Sequence, residues 1–285
     1  MKKIIHLSDL HIGPEGMFER FRDVIRHLTM LKQPGANYVV VITGDLVEEA
    51  SDTNYDMAKK CVNTLSGEGY RVLVVPGNHD YGSGNCADKK WVKKFKRQFF
   101  GTEKENMRYP KLDIIDGMAF IGLDSMEDEL GTWDRRASNG ELGEKQRNRL
   151  DKMLGSGKVQ NCEKTVIYLH HHPLDPIPTH ELKDAKALGA LLSKYVKKDE
   201  EKKGIDAVLF GHLHIGKKSN GWCDIQRVYD AGATTMKGGA PGFHRVIDLS
   251  KEPVYDYDAD FHGEYASMTS LPFFKTIAEL LAGRT

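Results

Sequence analysis

Cysteine is scarce in this sequence. The four residues, Cys61, Cys86, Cys162 and Cys223, are scattered, and none forms a CxxC pair. That pattern argues against a disulfide framework and against a thiolate metal site, and fits the reduced thiols of a cytoplasmic chain. A surplus of charge is missing as well: 41 basic side chains meet 41 acidic ones. Binding carried mainly by nucleic-acid phosphates needs a basic excess, so nucleic acid is not the expected partner. No apolar run approaches the roughly 18 residues of a membrane span. The first run, after Met1-Lys2-Lys3, is interrupted by Asp9 and is too short for a signal peptide. Linkers and internal repeats are also lacking. With 40% hydrophobic residues a sizeable core is available, and residues 1–285 read as a single domain.

What is present is one arrangement used four times. Val72–Val75 stops at Pro76-Gly77 and is followed by Asn78-His79-Asp80. Ile4–Ser8 leads into Asp9-Leu10-His11, Val39–Thr43 into Gly44-Asp45, and Ala207–Phe210 into Gly211-His212-Leu213-His214. Apolar runs of this length ended by turn residues predict strands buried on both faces. In open α/β sheets, sites gather beyond the carboxyl ends of such strands. Four strands therefore deliver Asp, His and Asn to one rim.

Between these strands, helical periodicity predicts amphipathic helices from Phe18 to Leu31, ended by Pro34-Gly35, and over 53–66. Trp91, Phe95 and Phe99 recur at four-residue spacing among lysines, which predicts a core stripe with a solvated basic face. Asp116-Gly117 predicts a hairpin between 112–115 and 119–123. A helix is expected over 141–154, a strand over 165–169, a helix over 181–198 and a strand over 206–210. Two strands, 225–229 and 244–249, flank the glycine-rich 238–242, and a docking helix is expected near 273–281. The polar stretch 124–140, with Trp133, Arg135, Arg136 and Asn139, is long enough to be functional.

The polar residues at the strand ends suit a transition metal. Asp9 and His11, and His212 and His214, are spaced i, i+2, and in an extended segment such pairs point the same way. Gly44, Gly77 and Gly211 precede candidate ligands and let backbone approach closely. Asp9, His11, Asp45, Asn78, His171, His212 and His214 are seven donors, too many for one tetrahedral ion. If Asp45 bridges, they divide into two sets of four, the pattern of a two-metal site.

The blocks D-x-H, G-D, G-N-H-D, H and G-H-x-H, in that order from residue 9 to residue 214, closely resemble the calcineurin-like metallophosphoesterase superfamily. The resemblance implies a four-layer α/β/β/α sandwich. It implies that Asp9, His11, Asp45 and His214 hold one metal, and that Asp45, Asn78, His171 and His212 hold the other. His171 is expected because it stands two residues before Pro173; His170 and His172 flank it, with His170 the next choice. The resemblance gives His79 a catalytic, non-ligand role. Asp80 is either its orienting partner or a turn carboxylate. His6 and His180 are expected to be structural and surface residues.

Two divalent ions of manganese, iron or zinc would lower the pKa of bound water and furnish a bridging hydroxide for in-line attack on phosphorus. The second block reads Gly44-Asp45-Leu46-Val47-Glu48-Glu49-Ala50, without the arginine of the family's protein phosphatases. The pattern is nearest to the small bacterial class III phosphodiesterases of cyclic nucleotides and glycerophosphodiesters. A phosphodiesterase of a small-molecule substrate is expected, with Arg135 and Arg136 as candidates for contacting it. The alternatives are a phosphomonoesterase and, outside enzymes, a metal-stabilised interaction scaffold.

Overall fold

Alternation within the strands sets the architecture. In the computed structural model, which describes residues 1–13, 16–29, 34–84, 87–100, 108–128, 138–174, 180–196, 204–216, 218–219, 221–235 and 245–250, the elements follow in this order. First come β1 (Lys3–Leu7), α1 (Met17–Thr29), α2 (Pro34–Asn37), β2 (Tyr38–Thr43), α3 (Asp52–Gly67) and β3 (Arg71–Val75). Next are α4 (Lys89–Phe99), β4 (Lys111–Ile115), β5 (Met118–Gly122), α5 (Gly143–Leu154), α6 (Gly157–Gln160) and β6 (Lys164–Tyr168). Last are α7 (Ala185–Leu192), β7 (Ile205–Phe210), β8 (Lys218–Ser219), β9 (Arg227–Asp230) and β10 (Arg245–Ile247).

Among the described residues the strands form two sheets, ordered β10-β1-β2-β3 and β4-β5-β6-β7-β9-β8. β1, β2 and β3 are parallel, as are β5, β6, β7 and β9. Successive residues face opposite sides. Val39, Val41, Leu73 and Val75 therefore meet Met118, Phe120, Val166 and Tyr168 between the sheets. Their neighbours Val40, Ile42 and Val74 pack outward against Phe21, Leu28, Ala58, Leu65 and Phe95 of α1, α3 and α4. On the other sheet, Ile121, Ile167 and Val208 pack outward against Leu150, Leu154, Leu188 and Leu192 of α5 and α7. Three buried interfaces separate four layers, the α/β/β/α sandwich the motifs implied.

Local chemistry explains most boundaries. Ser51 caps α3 by accepting from the Asn54 amide at 3.1 Å. Asp116 and Gly117 both have positive φ, 52° and 76°, as a two-residue hairpin of the primed type requires. Val92, Phe95 and Phe99 are buried, so the basic helix does turn its apolar stripe inward. Two expectations shift. Pro34-Gly35 does not only end a helix: Pro34 opens the short α2, where its missing N–H costs nothing. The helix expected over 181–198 is confined to α7 and a 3-10 turn at Ser193–Tyr195. Residues before it are taken by a loop rung, with the Gly140 amide on Glu181 O and the Lys183 amide on Gly140 O, both 2.9 Å. The segments 238–242 and 273–281 lie outside the described residues.

Candidate metal centre

Five parallel strands end at one rim, and the residues just beyond them carry the cluster. β1 gives Asp9 and His11, β2 Asp45, β3 Asn78 and His79, β6 His170, and β7 His212 and His214. Backbone bonds weld these ends together. The Asp9 amide donates to Gly44 O at 3.0 Å, the Leu10 and His11 amides to Asp45 O at 2.8 and 3.0 Å, and the Gly211 amide to His170 O at 3.0 Å. Both sheets thus contribute to one site across their facing ends.

The local backbone is not the extended one expected for the i, i+2 pairs. Asp9, His11, Asp45, His212 and His214 all have positive φ, between 45° and 78°. Left-handed kinks, not a strand pleat, turn each pair toward the centre. Non-glycine residues held there cost of order 1–3 kcal/mol each, and such strain gathers at functional sites. Close approach is also built in. A Cβ on Gly77 would overlap Asp45 Oδ1, and one on Gly211 would overlap Ser8 Oγ and Asp9 Oδ2.

The side chains converge in two sets. In one, His11 Nε2 lies 3.1 Å from His214 Nε2, 3.9 Å from Asp9 Oδ1 and 4.0 Å from Asp45 Oδ2. His214 Nε2 is 3.2 Å from Asp9 Oδ1. In the other, His170 Nε2 lies 3.0 Å from Asn78 Oδ1, 3.1 Å from His212 Nδ1 and 3.3 Å from Asp45 Oδ2. Asp45 Oδ2 faces both. Asp9, Asp45, Asn78 and His170 are all buried.

The triple histidine resolves differently from expectation. His170, not His171, enters the cluster. His171 turns away: its Nδ1 sits 2.7 Å from Ser125 Oγ and its Nε2 3.1 Å from Ser138 O. Successive residues beyond β6 face opposite sides, and His170 faces Thr43 and Asp45. Spacing from Pro173 does not carry that information. Asp80 is likewise not aimed at the centre. Its Oδ1 accepts from the Leu46 and Val47 amides at 2.9 and 3.3 Å and its Oδ2 from the Gly77 amide at 2.9 Å, tying the β2 and β3 loops together. His6 is structural, 3.0 Å from Thr43 Oγ1. His180, expected at the surface, has its ring centroid 5.7 Å from that of His212. Arg135 and Arg136, with Trp133, lie outside the described residues.

Glu48 was not singled out from sequence, yet it touches two functional rings. Its Oε2 is 2.9 Å from His11 Nδ1, and its carbonyl oxygen accepts from His79 Nδ1 at 2.6 Å. A carbonyl or carboxylate oxygen can only accept, so both rings are protonated on Nδ1. Their Nε2 lone pairs are thereby presented to the cluster. The acidic residue three places after Asp45 was the available signal.

Do these residues fit metal ions? His170 Nδ1 donates to Thr43 O at 2.7 Å, leaving Nε2 with a lone pair in the neutral ring. Asn78 Nδ2 donates to Gly84 O at 3.0 Å, which fixes the amide so that Oδ1 faces the cluster with its lone pairs. Asp45 Oδ2 adds a third. Lone pairs facing one another at about 3 Å repel unless a cation stands among them. The ring-nitrogen spacings of 3.1 Å match edges of a coordination shell built on bonds of about 2.0–2.1 Å. The sets Asp9, His11, His214 and Asp45, His170, His212 each bring their donor atoms within 4.8 Å of one another. Nitrogen and oxygen donors of this kind suit first-row transition metals.

Electrostatics agree. Burial pushes the Asp45 carboxyl upward, but the His170, His79 and His11 fields overturn that and hold it well below its ordinary range. Asp9 is also lowered, burial being outweighed by His214 and His170. Burial pulls His170 down, while Asp45, Asp9 and the Thr43 carbonyl raise it further, to about 9. Burial and the neighbouring His170 hold His212 well below the ordinary imidazole range.

A family model for calcineurin-like phosphoesterases matches residues 2–216. The chain is 23% identical over 193 residues to the 3',5'-cyclic adenosine monophosphate phosphodiesterase CpdA of Haemophilus influenzae, a stretch covering 65% of this chain and 58% of that protein. The fold is similar to that of the purple acid phosphatase PPD1 from yellow lupin (Lupinus luteus) seeds, with a TM-score of 0.54 and 13% identity over 90% of this chain and 52% of that one. It is also similar to a sulfate thiohydrolase of Thermus thermophilus, with a TM-score of 0.50 and 13% identity over 94% of this chain and 60% of that one. The chain therefore spans less than two thirds of the length of each of these relatives. The match of the family model over most of the sequence, on a four-layer sandwich whose strand ends carry its motifs, settles membership: the chain belongs to the calcineurin-like phosphoesterase family.

Proposed function

We propose that this protein is a dinuclear metal-dependent phosphodiesterase acting on a small-molecule substrate in the cytoplasm, its single domain spanning residues 1–285. The observation that carries the reading is Asp45 Oδ2, which faces His11 on one side and His170 on the other. Asp9, His11, Asp45 and His214 would hold one ion, and Asp45, Asn78, His170 and His212 the second. When bound, two ions of manganese, iron or zinc activate water for attack on phosphorus and neutralise charge on the phosphoryl oxygens. Asn78 contributes a donor without adding negative charge, which keeps the site attractive to an anionic phosphate.

His79 would be the proton carrier. Its amide donates to Asp45 Oδ1 at 3.0 Å, and its Nδ1 is committed to Glu48 O. Nε2 is left as the atom that can hold a proton for the departing oxygen. Asp80 acts as a positioning residue, because its carboxylate fixes the loops bearing Asp45 and His79. A diester is favoured over a monoester by the likeness to a cyclic-nucleotide phosphodiesterase. Among the described residues no helix is long and apolar enough to cross a membrane, and Cys61, Cys162 and Cys223 form no disulfide.

The test is hydrolysis of bis-p-nitrophenyl phosphate against p-nitrophenyl phosphate by the manganese-loaded protein. Faster turnover of the diester is expected. Preference for the monoester would replace the reading by a phosphomonoesterase, and no turnover of either with two ions bound would favour a scaffold.

A further inference from the structure

One flank of the sandwich lies away from the cluster. β3 is the last strand of one sheet and β4 the first of the other. Between them, closed on one side by α3 and the end of α4, lies a cavity of about 450 Å³. That volume falls within the roughly 300–1,000 Å³ of small-molecule sites. None of the cluster residues lines it.

The cavity is built of two unlike parts. Leu73, Phe99 and Phe100 form an apolar floor, whereas Lys59, Arg71, Lys111 and Asp113 are its charged lining residues. Among the described residues, then, three cations line it against one carboxylate. Arg71 and Lys111 share Asp113, at 3.9 and 3.2 Å. Lys59 donates to the carbonyl of Gln98 at 2.6 Å. The two ammonium groups are held over the floor itself, Lys59 Nζ at 5.5 Å from the Phe99 ring centroid and Lys111 Nζ at 5.6 Å from that of Phe100. Burial lowers the Lys59 amine from its ordinary value, a desolvation cost that an anion beside it would offset.

We propose that this cavity binds an amphipathic organic anion, its flat apolar part on Phe99 and Phe100 and its phosphate, sulfonate or carboxylate between Lys59 and Lys111. The two lysines would supply most of the attraction and select against uncharged analogues, the exposed edges of Phe99 and Phe100 adding apolar contact.

The probe is anilinonaphthalene sulfonate, a fluorescent aryl anion that a phosphoesterase cannot hydrolyse, titrated into the full chain. Saturable binding at one site per chain is expected. Lys59→Ala with Lys111→Ala should weaken it about tenfold or more, measured below the melting temperature of the variant, where it is folded. Lys59→Arg with Lys111→Arg should retain it, and Asp45→Ala should leave it untouched. Uncharged phenylnaphthylamine should bind far more weakly than the sulfonate. Non-saturable binding, equal binding by the alanine pair, equal binding of the uncharged analogue, or loss in Asp45→Ala would each overturn the proposal. Because the readout involves no hydrolysis, its failure is separable from failure of the phosphodiesterase reading.

Discussion

The two halves of the cluster share Asp45 but differ in exposure and support. Around His170 most of the donors are buried: His170, Asn78 and Asp45 are enclosed, His212 is part-exposed, and the His170 ring is held by its Nδ1 bond to Thr43 O. Around His11 the site opens, with the His11 and His214 side chains 13% and 36% exposed. There the orientation of His11 depends on Glu48, itself 42% exposed. An enclosed donor set prepays its ordering and desolvation, whereas an open one exchanges ligands with water. The inner half should therefore hold its ion more tightly, and the outer half should be the exchangeable one.

The largest expected effect would break the comparison by removing what the halves share. Asp45→Ala should empty both and lower kcat/KM by about 10³-fold or more, ~4 kcal/mol of transition-state stabilisation. Metal content and diester turnover, measured together, check it. If Asp45→Ala kept both ions and full turnover, the shared-carboxylate assignment would fail.

Next comes a pair of variants aimed at the inner half. His170→Ala should lose the inner ion and most activity. His171→Ala should keep both ions, because its nitrogens serve Ser125 and Ser138. This pair also marks where the sequence stopped being legible. Most strands, and the polar residues just beyond them, could be read from strand-then-ligand blocks, and the stacking of two sheets from the resemblance those blocks carry. Which of three consecutive histidines faces inward could not, since it depends on how the chain leaves β6. Nor could the left-handed kinks at Asp9, His11, Asp45, His212 and His214, which replace the extended geometry that i, i+2 spacing suggests. Propensity disfavours such kinks, and only tertiary context imposes them. Glu48 was hidden for a similar reason: its partners are distant in sequence on one side and bonded through backbone on the other.

The outer half is tested through Glu48→Gln. Loss of the carboxylate on His11 Nδ1 should weaken the outer ion about 10–100-fold while sparing the inner one, the usual cost of removing a ligand's hydrogen-bond partner. Calorimetric titration with manganese would resolve the two sites. Equal weakening of both would remove the distinction drawn between them.

A smaller effect concerns pH in the metal-free protein. His170 is raised from its unfolded value of 6.5 to about 9, so its contribution to stability is complete below pH 6.5 and lost as pH rises through 9. The melting temperature of the stripped protein should fall across that window, and that of His170→Gln should fall less. The same proton must leave before an ion binds, so inner-site affinity should rise over the same range. The smallest effect is strain. Asp9, at φ 53°, should cost the stripped protein about 1 kcal/mol more as Ala than as Gly, read by denaturant unfolding.

Electron paramagnetic resonance of the manganese-loaded protein tests the central claim most directly. Two ions on either side of Asp45 should give a spin-coupled pair spectrum at two equivalents per chain, collapsing to the pattern of isolated ions when Glu48→Gln is half-loaded. A spectrum of isolated ions at full loading of the unaltered protein, or saturation at one equivalent, would contradict it.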